Sequence, residues 1–283
     1  MVLPTFAELK EKVIVITGGG GILCSSIADV LGAQGAKIAI LDLKKENAQK
    51  ISERINKNGG ISIGIEANVL DLESLNRAKK EIHESLGTCD ILINGAGGNH
   101  PKGTTTKSHL LKEDLEVSEG IRTFFDLDPE GIQFVFNLNF LGTLLPTQVF
   151  SKDMVGKKNC SVINFSSMNA FTPLTRIPAY SAAKASVSNF TQWLAVHFAK
   201  VGIRVNALAP GFFLTDQNRS LLTDENGNYT DRGTSILNNT PMNQFGEPED
   251  LHGTVLWLCS EGSRFITGVI VPIDGGFSAY SGV

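Results

Sequence analysis

Apolar residues along the chain fall into two alternating rhythms. Short, β-rich runs recur at "KVIVIT" (Lys12–Thr17), "KIAILD" (Lys37–Asp42), "ISIGIEA" (Ile61–Ala67), "CDILIN" (Cys89–Asn94), "CSVINFS" (Cys160–Ser166), "IRVNALA" (Ile203–Ala209) and "GVIVPID" (Gly268–Asp274). Most are nearly continuous, and strands apolar on both faces belong to a parallel sheet with helices on each side. Helix-length segments lie between them, at Ile22–Gln34, Lys44–Asn56, Leu72–Leu86, Pro129–Met154 and Tyr180–Lys200. The alternation predicts an α/β fold: one Rossmann-like, doubly wound domain over residues 1–283, with a mainly seven-stranded parallel sheet between helix layers and right-handed crossovers. No composition shift, linker or internal repeat divides the sequence.

Two segments break the rhythm. Residues 99–128 are polar and rich in threonine and lysine, and residues 212–250 are rich in Asn, Asp and Gly. Long excursions from a compact domain are often functional. Open α/β sheets bind ligands beyond the carboxyl ends of their strands, which is where both segments begin. The second reads as a mobile substrate lid.

Composition narrows the function classes. The 283 residues are 42% hydrophobic, enough to bury a sizeable core. A net charge of −4 offers nothing to nucleic acid or to an anionic membrane, so neither is expected as a partner. The four cysteines, Cys24, Cys89, Cys160 and Cys259, form no C-x-x-C pair. That implies a reducing, cytoplasmic setting, with Cys89, Cys160 and Cys259 as small core residues. The N-terminus is charged where a signal peptide needs an apolar run, and no apolar span has membrane length. The five histidines lack metal-ligand spacing, so no metal is expected.

Candidate chemistry begins with "TGGGGILC" (Thr17–Cys24), which follows the first strand and opens a helix. Glycines there let the backbone approach a pyrophosphate and aim helix N–H groups at it. Asp42 ends the second strand, where a carboxylate accepts from both adenosine-ribose hydroxyls and repels a 2′-phosphate. The alternative is an ordinary helix cap. The pattern favours NAD over NADP, with Lys44 and Lys45 the only nearby cations to offset the carboxylate. In "AYSAAKAS" (Ala179–Ser186), Tyr180 and Lys184 are four apart and share a helix face. They are either a proton-transfer device or a hydrogen-bonded surface pair.

Seven motifs resolve that choice. "TGGGGILC", "NGAG" (Asn94–Gly97), "NFLG" (Asn139–Gly142), "NFSS" (Asn164–Ser167), "YSAAK" (Tyr180–Lys184), "NALAPG" (Asn206–Gly211) and "DGG" (Asp274–Gly276) resemble, in order and spacing, those of the short-chain dehydrogenase/reductase family. The resemblance runs from about Lys12 to Gly276. It implies a catalytic tetrad of Asn139, Ser167, Tyr180 and Lys184; Ser167 matches rather than Ser166, because it lies thirteen residues before Tyr180. It also implies cofactor contacts from Thr17, Gly18, Gly21, Ile22, Leu23, Asn68, Val69, Asn94, Gly95, Ala96, Gly97, Tyr180, Lys184, Pro210, Gly211, Phe213 and Thr215. Relatives are commonly homotetramers, and the apolar helix Ser186–Phe198 suits a subunit contact.

More narrowly, "NGAGGNHPKGTTT", "SSMNAFTPLTRIPAYSAAKASVSNFTQWLAV" and "VPIDGGFSAYSGV" resemble the D-mannonate oxidoreductases within that family. This implies NAD-dependent interconversion of D-mannonate and D-fructuronate. Gluconate or a sugar alcohol is the alternative substrate, and a non-catalytic NAD-binding regulator the remaining one. A sugar-acid substrate needs a cationic or amide anchor. Arg176 is the best-placed candidate, with Asn99, Lys102, Asn169 and Arg219 as others. Three residues depart from the family pattern: Cys24 replaces the last glycine of the first motif, Gly95 the second asparagine of N-N-A-G, and Asn68 an aspartate facing the adenine.

Overall fold

A computed structural model describes residues 5–116, 120–215, 219–225 and 227–282. Seven strands form one parallel sheet: β1 (Val13–Thr17), β2 (Lys37–Asp42), β3 (Ile61–Glu66), β4 (Ile91–Asn94), β5 (Cys160–Phe165), β6 (Ile203–Pro210) and β7 (Ile270–Ile273). Their order is β3-β2-β1-β4-β5-β6-β7, with every pairing parallel. The strand order reverses between β1 and β4. There Thr17 lies level with Leu41 on one side and Asn94 on the other.

Side chains alternate between two cores, as a strand's period of two requires. Ile14 and Ile16 pack with Ile38 and Ile40 against helices α1 (Ile22–Ala33), α2 (Lys45–Lys57) and α9 (His252–Cys259). Val13 and Val15 face the opposite layer, against α3 (Leu72–Ser85), α5 (Gly142–Phe150) and α6 (Pro178–Phe198). Each fully buried isoleucine stabilises the fold by about 1.5–3 kcal/mol. The strand ends are therefore pinned from both faces, and the loops that leave them are fixed in position. All four cysteines are buried and unpaired.

Two elements differ from the sequence expectation. The segment 129–154 is not one helix. It divides into α4 (Pro129–Phe136), a π-helical turn (Asn137–Leu141), α5 and a 3-10 turn (Ser151–Asp153). Side chains take over backbone roles there: Asn139 Nδ2 donates to the Val135 carbonyl at 2.8 Å, and Thr143 Oγ1 to the Asn139 carbonyl at 2.8 Å. The second difference is the segment 212–250, which carries two helices of its own, α7 (Arg219–Leu222) and α8 (Asp231–Asn238). Leu222, Ile236, Leu237 and Phe245 close a small separate core beneath them.

The segment 99–128 is stitched together by polar contacts. Arg122 and Thr106 exchange hydrogen bonds, and Thr105 N–H donates to the Arg176 carbonyl at 2.8 Å. Residues 117–119 of this segment, and 216–218 and 226 of the other, lie outside the described residues. Among the described residues, no helix is long and apolar enough to cross a membrane.

Candidate active site

The glycine loop closes against its neighbours with no room for side chains. Gly18 has a positive φ of 62°, and an added Cβ would lie 2.9 Å from Ala96 Cα. The loops after β1 and β4 therefore touch backbone to backbone. Thr17 Oγ1 ties them further, accepting from the Gly95 and Ala96 N–H groups at 3.1 and 3.3 Å. Helix α1 starts at Ile22 behind Gly21, and no side chain caps it. Its first-turn N–H groups are left without a side-chain cap at the carboxyl end of β1.

Asp42 faces the same crevice. Its Oδ2 accepts from Gly20 N–H at 3.1 Å and its Oδ1 from Lys44 N–H at 3.0 Å. The carboxylate thus braces the turn that precedes α2 and reaches the glycine loop, but it does not cap the helix, whose N-cap is Lys44. Asn68 Oδ1 accepts from Leu70 N–H at 2.9 Å, so one of its two lone pairs is engaged in a local turn. Val69 is buried beside Gly142. The Asn94 side chain is turned inward, donating to Thr147 and Asn164 at 2.9 Å each. Its amide staples β4 to β5. The Phe213 ring is likewise packed in the core, against Gly246. Gly211 bends the backbone at the end of β6, where a Cβ would strike Asp274.

The two departures in the glycine motifs meet each other. A Cβ on Gly95 would lie 2.1 Å from Cys24 Sγ. The cysteine fills the space that an asparagine at 95 would occupy, so the two changes compensate in volume. Burial pushes the Cys24 thiol up to about 12.

The four tetrad candidates surround one place. Asn139 is fully buried on the π-helical turn and clasps Gly98: its Nδ2 donates to the Gly98 carbonyl at 2.7 Å and its Oδ1 accepts from Gly98 N–H at 3.3 Å. A Cβ on Gly97 would touch both Asn139 Oδ1 and Lys184 Nζ, at 2.8 and 3.1 Å. Lys184 is 4% exposed, and its Nζ donates to the Phe165 carbonyl at 2.8 Å. The ammonium lies 5.6 Å from the centre of the Tyr180 ring. Burial lowers the Lys184 pKa to about 8. Ser167 shares a hydrogen bond with the Tyr180 hydroxyl. Ser166 is engaged elsewhere, with Ser188 and the Lys184 carbonyl, which leaves Ser167 as the hydroxyl beside the tyrosine.

From sequence, Lys184 at close range is expected to favour the phenolate. The protein's own groups act differently. Burial raises the Tyr180 pKa above its ordinary value, and the Ser167 hydrogen bond offsets only part of that. The lysine's nitrogen is directed at Phe165, under the ring. The site therefore holds a protonated phenol beside a serine hydroxyl, an arrangement suited to giving a proton to a carbonyl oxygen.

Ser167 and Tyr180 open onto a cavity of about 220 Å³. Its walls include Asn169, Ile177, Phe212, Leu222, Arg232 and Ile236. Of the expected substrate residues, only Asn169 lines it. Arg176 has a φ of 74°, its Nε donates to the Thr105 carbonyl at 3.2 Å, and it does not line the cavity. Lys102 pairs with Asp128 at 2.8 Å, and that carboxylate raises its pKa. Asn99 Nδ2 donates to Thr104 Oγ1 at 3.1 Å. Arg219 is exposed on α7. Arg232, which sequence reasoning does not single out, stands in the wall instead. Its one sequence signal is position, in a helical stretch following a Thr cap. Among the described residues, no group of three or more His, Cys, Asp or Glu could hold a metal.

Known proteins share this sequence and fold. The sequence matches the short chain dehydrogenase family over residues 12–226. It is 58% identical over 277 residues to an uncharacterized oxidoreductase of Haemophilus influenzae, covering 98% of this chain and 96% of the relative. It is 50% identical over 282 residues to an uncharacterized oxidoreductase of Bacillus subtilis, covering 99% and 100%. A crystal structure from Haemophilus influenzae, provisionally named a D-mannonate oxidoreductase and containing bound NAD, superposes with a TM-score of 0.93. That match has 58% identity and covers 97% of this chain and 98% of the other. The protein belongs to the short-chain dehydrogenase family.

Proposed function

We propose that this short-chain dehydrogenase is an NAD-dependent oxidoreductase interconverting D-mannonate and D-fructuronate. The observation that carries the reading is the convergence of Asn139, Ser167, Tyr180 and Lys184 beside a cavity that adjoins the glycine crevice. The substrate rests on likeness to the Haemophilus influenzae protein bearing that provisional name.

The crevice fits a dinucleotide. Thr17, Gly18, Gly21, Ile22 and Leu23 would hold the pyrophosphate, and Asp42 the adenosine ribose. Asn68 and Val69 would flank the adenine. Gly95, Ala96, Gly97, Pro210, Gly211 and Thr215 would line the remainder through their backbones, with Phe213 supporting from the core. Asp42 beside Gly20 disfavours a 2′-phosphate, so NAD is the cofactor. When bound, the nicotinamide supplies the two-electron acceptor or donor.

The protein's own groups handle the proton. In reduction, Tyr180 gives its proton to the ketone oxygen while Ser167 donates a hydrogen bond to the same oxygen. In oxidation, Tyr180 takes the alcohol proton. When the oxidised nicotinamide is bound, its positive charge adds to that of Lys184 and would favour the resulting phenolate, and Lys184 would reach the nicotinamide-ribose hydroxyls. Asn139 holds the Gly98 backbone and the π-helical turn, and so keeps the floor of the site in place.

The protein would work in the cytoplasm as a homotetramer, without nucleic-acid or membrane partners. The exposed Trp193 and Val196 on α6 support subunit contact through that helix. An absorbance assay at the reduced-nicotinamide band tests the proposal. D-Mannonate with NAD should give turnover, and NADP much less. Turnover on D-gluconate or an alditol with none on D-mannonate would move the substrate. NAD binding with no turnover on any of them would leave a regulator.

A further inference from the structure

Resting on the sugar-acid reading, we infer that Arg232, on the lid helix α8, is the residue that binds the substrate carboxylate. Among the described residues lining the cavity, Arg232 is the only charged side chain apart from the catalytic phenol's own ionisable group, and no carboxylate lines that wall. It makes no ion pair with any described residue, unlike Lys102. Arg176 is held at the Thr105 carbonyl. Of these cations, Arg232 alone shares a cavity with the Ser167 and Tyr180 hydroxyls.

The local structure suits an anion. Arg232 sits in the first turn of α8, where a positive side chain works against the helix dipole. An arriving carboxylate would neutralise the guanidinium there. Asp231 is the other charge in the turn, and it does not line the cavity. The helix is fixed in place: Thr230 Oγ1 caps it by accepting from Gly233 N–H at 3.2 Å. At Gly233 there is no room for a Cβ, which would meet the Leu222 carbonyl of α7. Ile236, one turn on from Arg232, lines the cavity with it, so one face of α8 forms this wall.

A second, independent observation concerns another residue of the wall. Asn169 is 4% exposed, follows Ser167 by two residues and lines the cavity, yet its Oδ1 has no hydrogen-bond partner. A buried amide oxygen without a donor is costly. The cavity therefore carries a cation for an acid group and the proton-handling pair, with this buried amide beside them.

The test compares Arg232→Gln, Arg232→Lys and Arg176→Gln with the unmodified enzyme. Steady-state constants are measured with D-mannonate and with D-mannitol, and calorimetry follows D-mannonate binding to the NADH-saturated protein. Arg232→Gln should raise the KM and weaken binding of the acid by roughly ten- to a hundredfold, with kcat changed little. Arg232→Lys should recover part of the loss. Arg176→Gln should match the unmodified enzyme, and any turnover of D-mannitol should be unaffected by Arg232→Gln. Unchanged acid binding in Arg232→Gln, or equal losses on acid and alditol, would overturn the assignment. If the unmodified enzyme prefers D-gluconate or D-galactonate, the D-mannonate reading fails alone, and the same variants are read on that acid. If it neither binds nor turns over any of the three acids, the assignment falls with the reading.

Discussion

The two halves of the site are built in opposite ways. The nucleotide crevice is lined by backbone, at Gly18, Gly97 and Gly211, with β1, β2 and β4 behind it, whose isoleucines are fully buried. The substrate cavity is walled by side chains from a lid whose own core is four residues, Leu222, Ile236, Leu237 and Phe245. A surface that must approach a constant ligand closely is made of glycine and fixed by the sheet. A surface that must choose among substrates is made of exchangeable side chains on a light support. The tetrad lies at the seam between them.

The sharpest test of that seam is Tyr180→Phe. Turnover should fall by about 10²–10⁴-fold, since the phenol carries the proton, while NAD affinity stays close to that of the unmodified protein. Equal turnover would remove Tyr180 from the chemistry and leave the seam without its acid.

Lys184 tests how dry the crevice side is. Its folded pKa is about 8 against an ordinary value of 10.5. Between those values the unfolded polypeptide holds a proton that the folded protein has shed, so stability rises with pH across that window. Burying the ammonium is a cost fully present below about pH 8. Relative to Lys184→Met, the unmodified protein should therefore gain on the order of 3 kcal/mol between about pH 7 and pH 10.5. Urea unfolding across that range measures it. A difference that stays flat with pH would mean the lysine is well solvated.

Packing beneath the glycine loop is next. Gly95→Ala should destabilise by about 1–3 kcal/mol, because the new methyl meets the Cys24 sulfur. Cys24→Gly in the same protein should return part of that loss. Strictly additive effects in the double variant would show that the two positions do not share space.

The smallest effect belongs to the lid. Leu237→Ala should cost less than about 1 kcal/mol of global stability, and less than Ile40→Ala, because its small core is separate from the one beneath the sheet. It should still raise the substrate KM by disturbing the wall that carries Arg232. A cost equal to that of Ile40→Ala would mean lid and sheet unfold as one unit, and would break the contrast between the two halves.

The same contrast explains what the sequence discloses. Strands such as Lys37–Asp42 are legible to the residue, because continuous apolar runs have one way to be buried on both faces. The glycine loop and Asp42 are legible because close approach and charge repulsion each demand a residue type. The break at Asn139 is not, since a π-helical turn differs from an α-helix by a one-residue shift in backbone hydrogen-bond register, which leaves the apolar pattern almost unchanged. Helices α7 and α8 escape notice because each is too short for its apolar period to stand out among Asn, Asp and Gly. Nearness in sequence to Tyr180 favours Arg176 over Arg232. A backbone with positive φ at Arg176 and a carbonyl at Thr105 turn it aside, and neither is written locally.

The contact between Cys24 and Gly95 also limits how such a site can have a history. From an ancestor with glycine at the first position and asparagine at the second, neither replacement is neutral alone. Changing the second first leaves a void beneath the pyrophosphate loop. Changing the first first forces a sulfur into an occupied space. The order through the void is the milder one, because a small gap costs less than a backbone-level clash in a loop that must stay closed. Lineages carrying the pair should therefore pass through proteins with glycine at both positions, and reversion of either residue by itself should be rare.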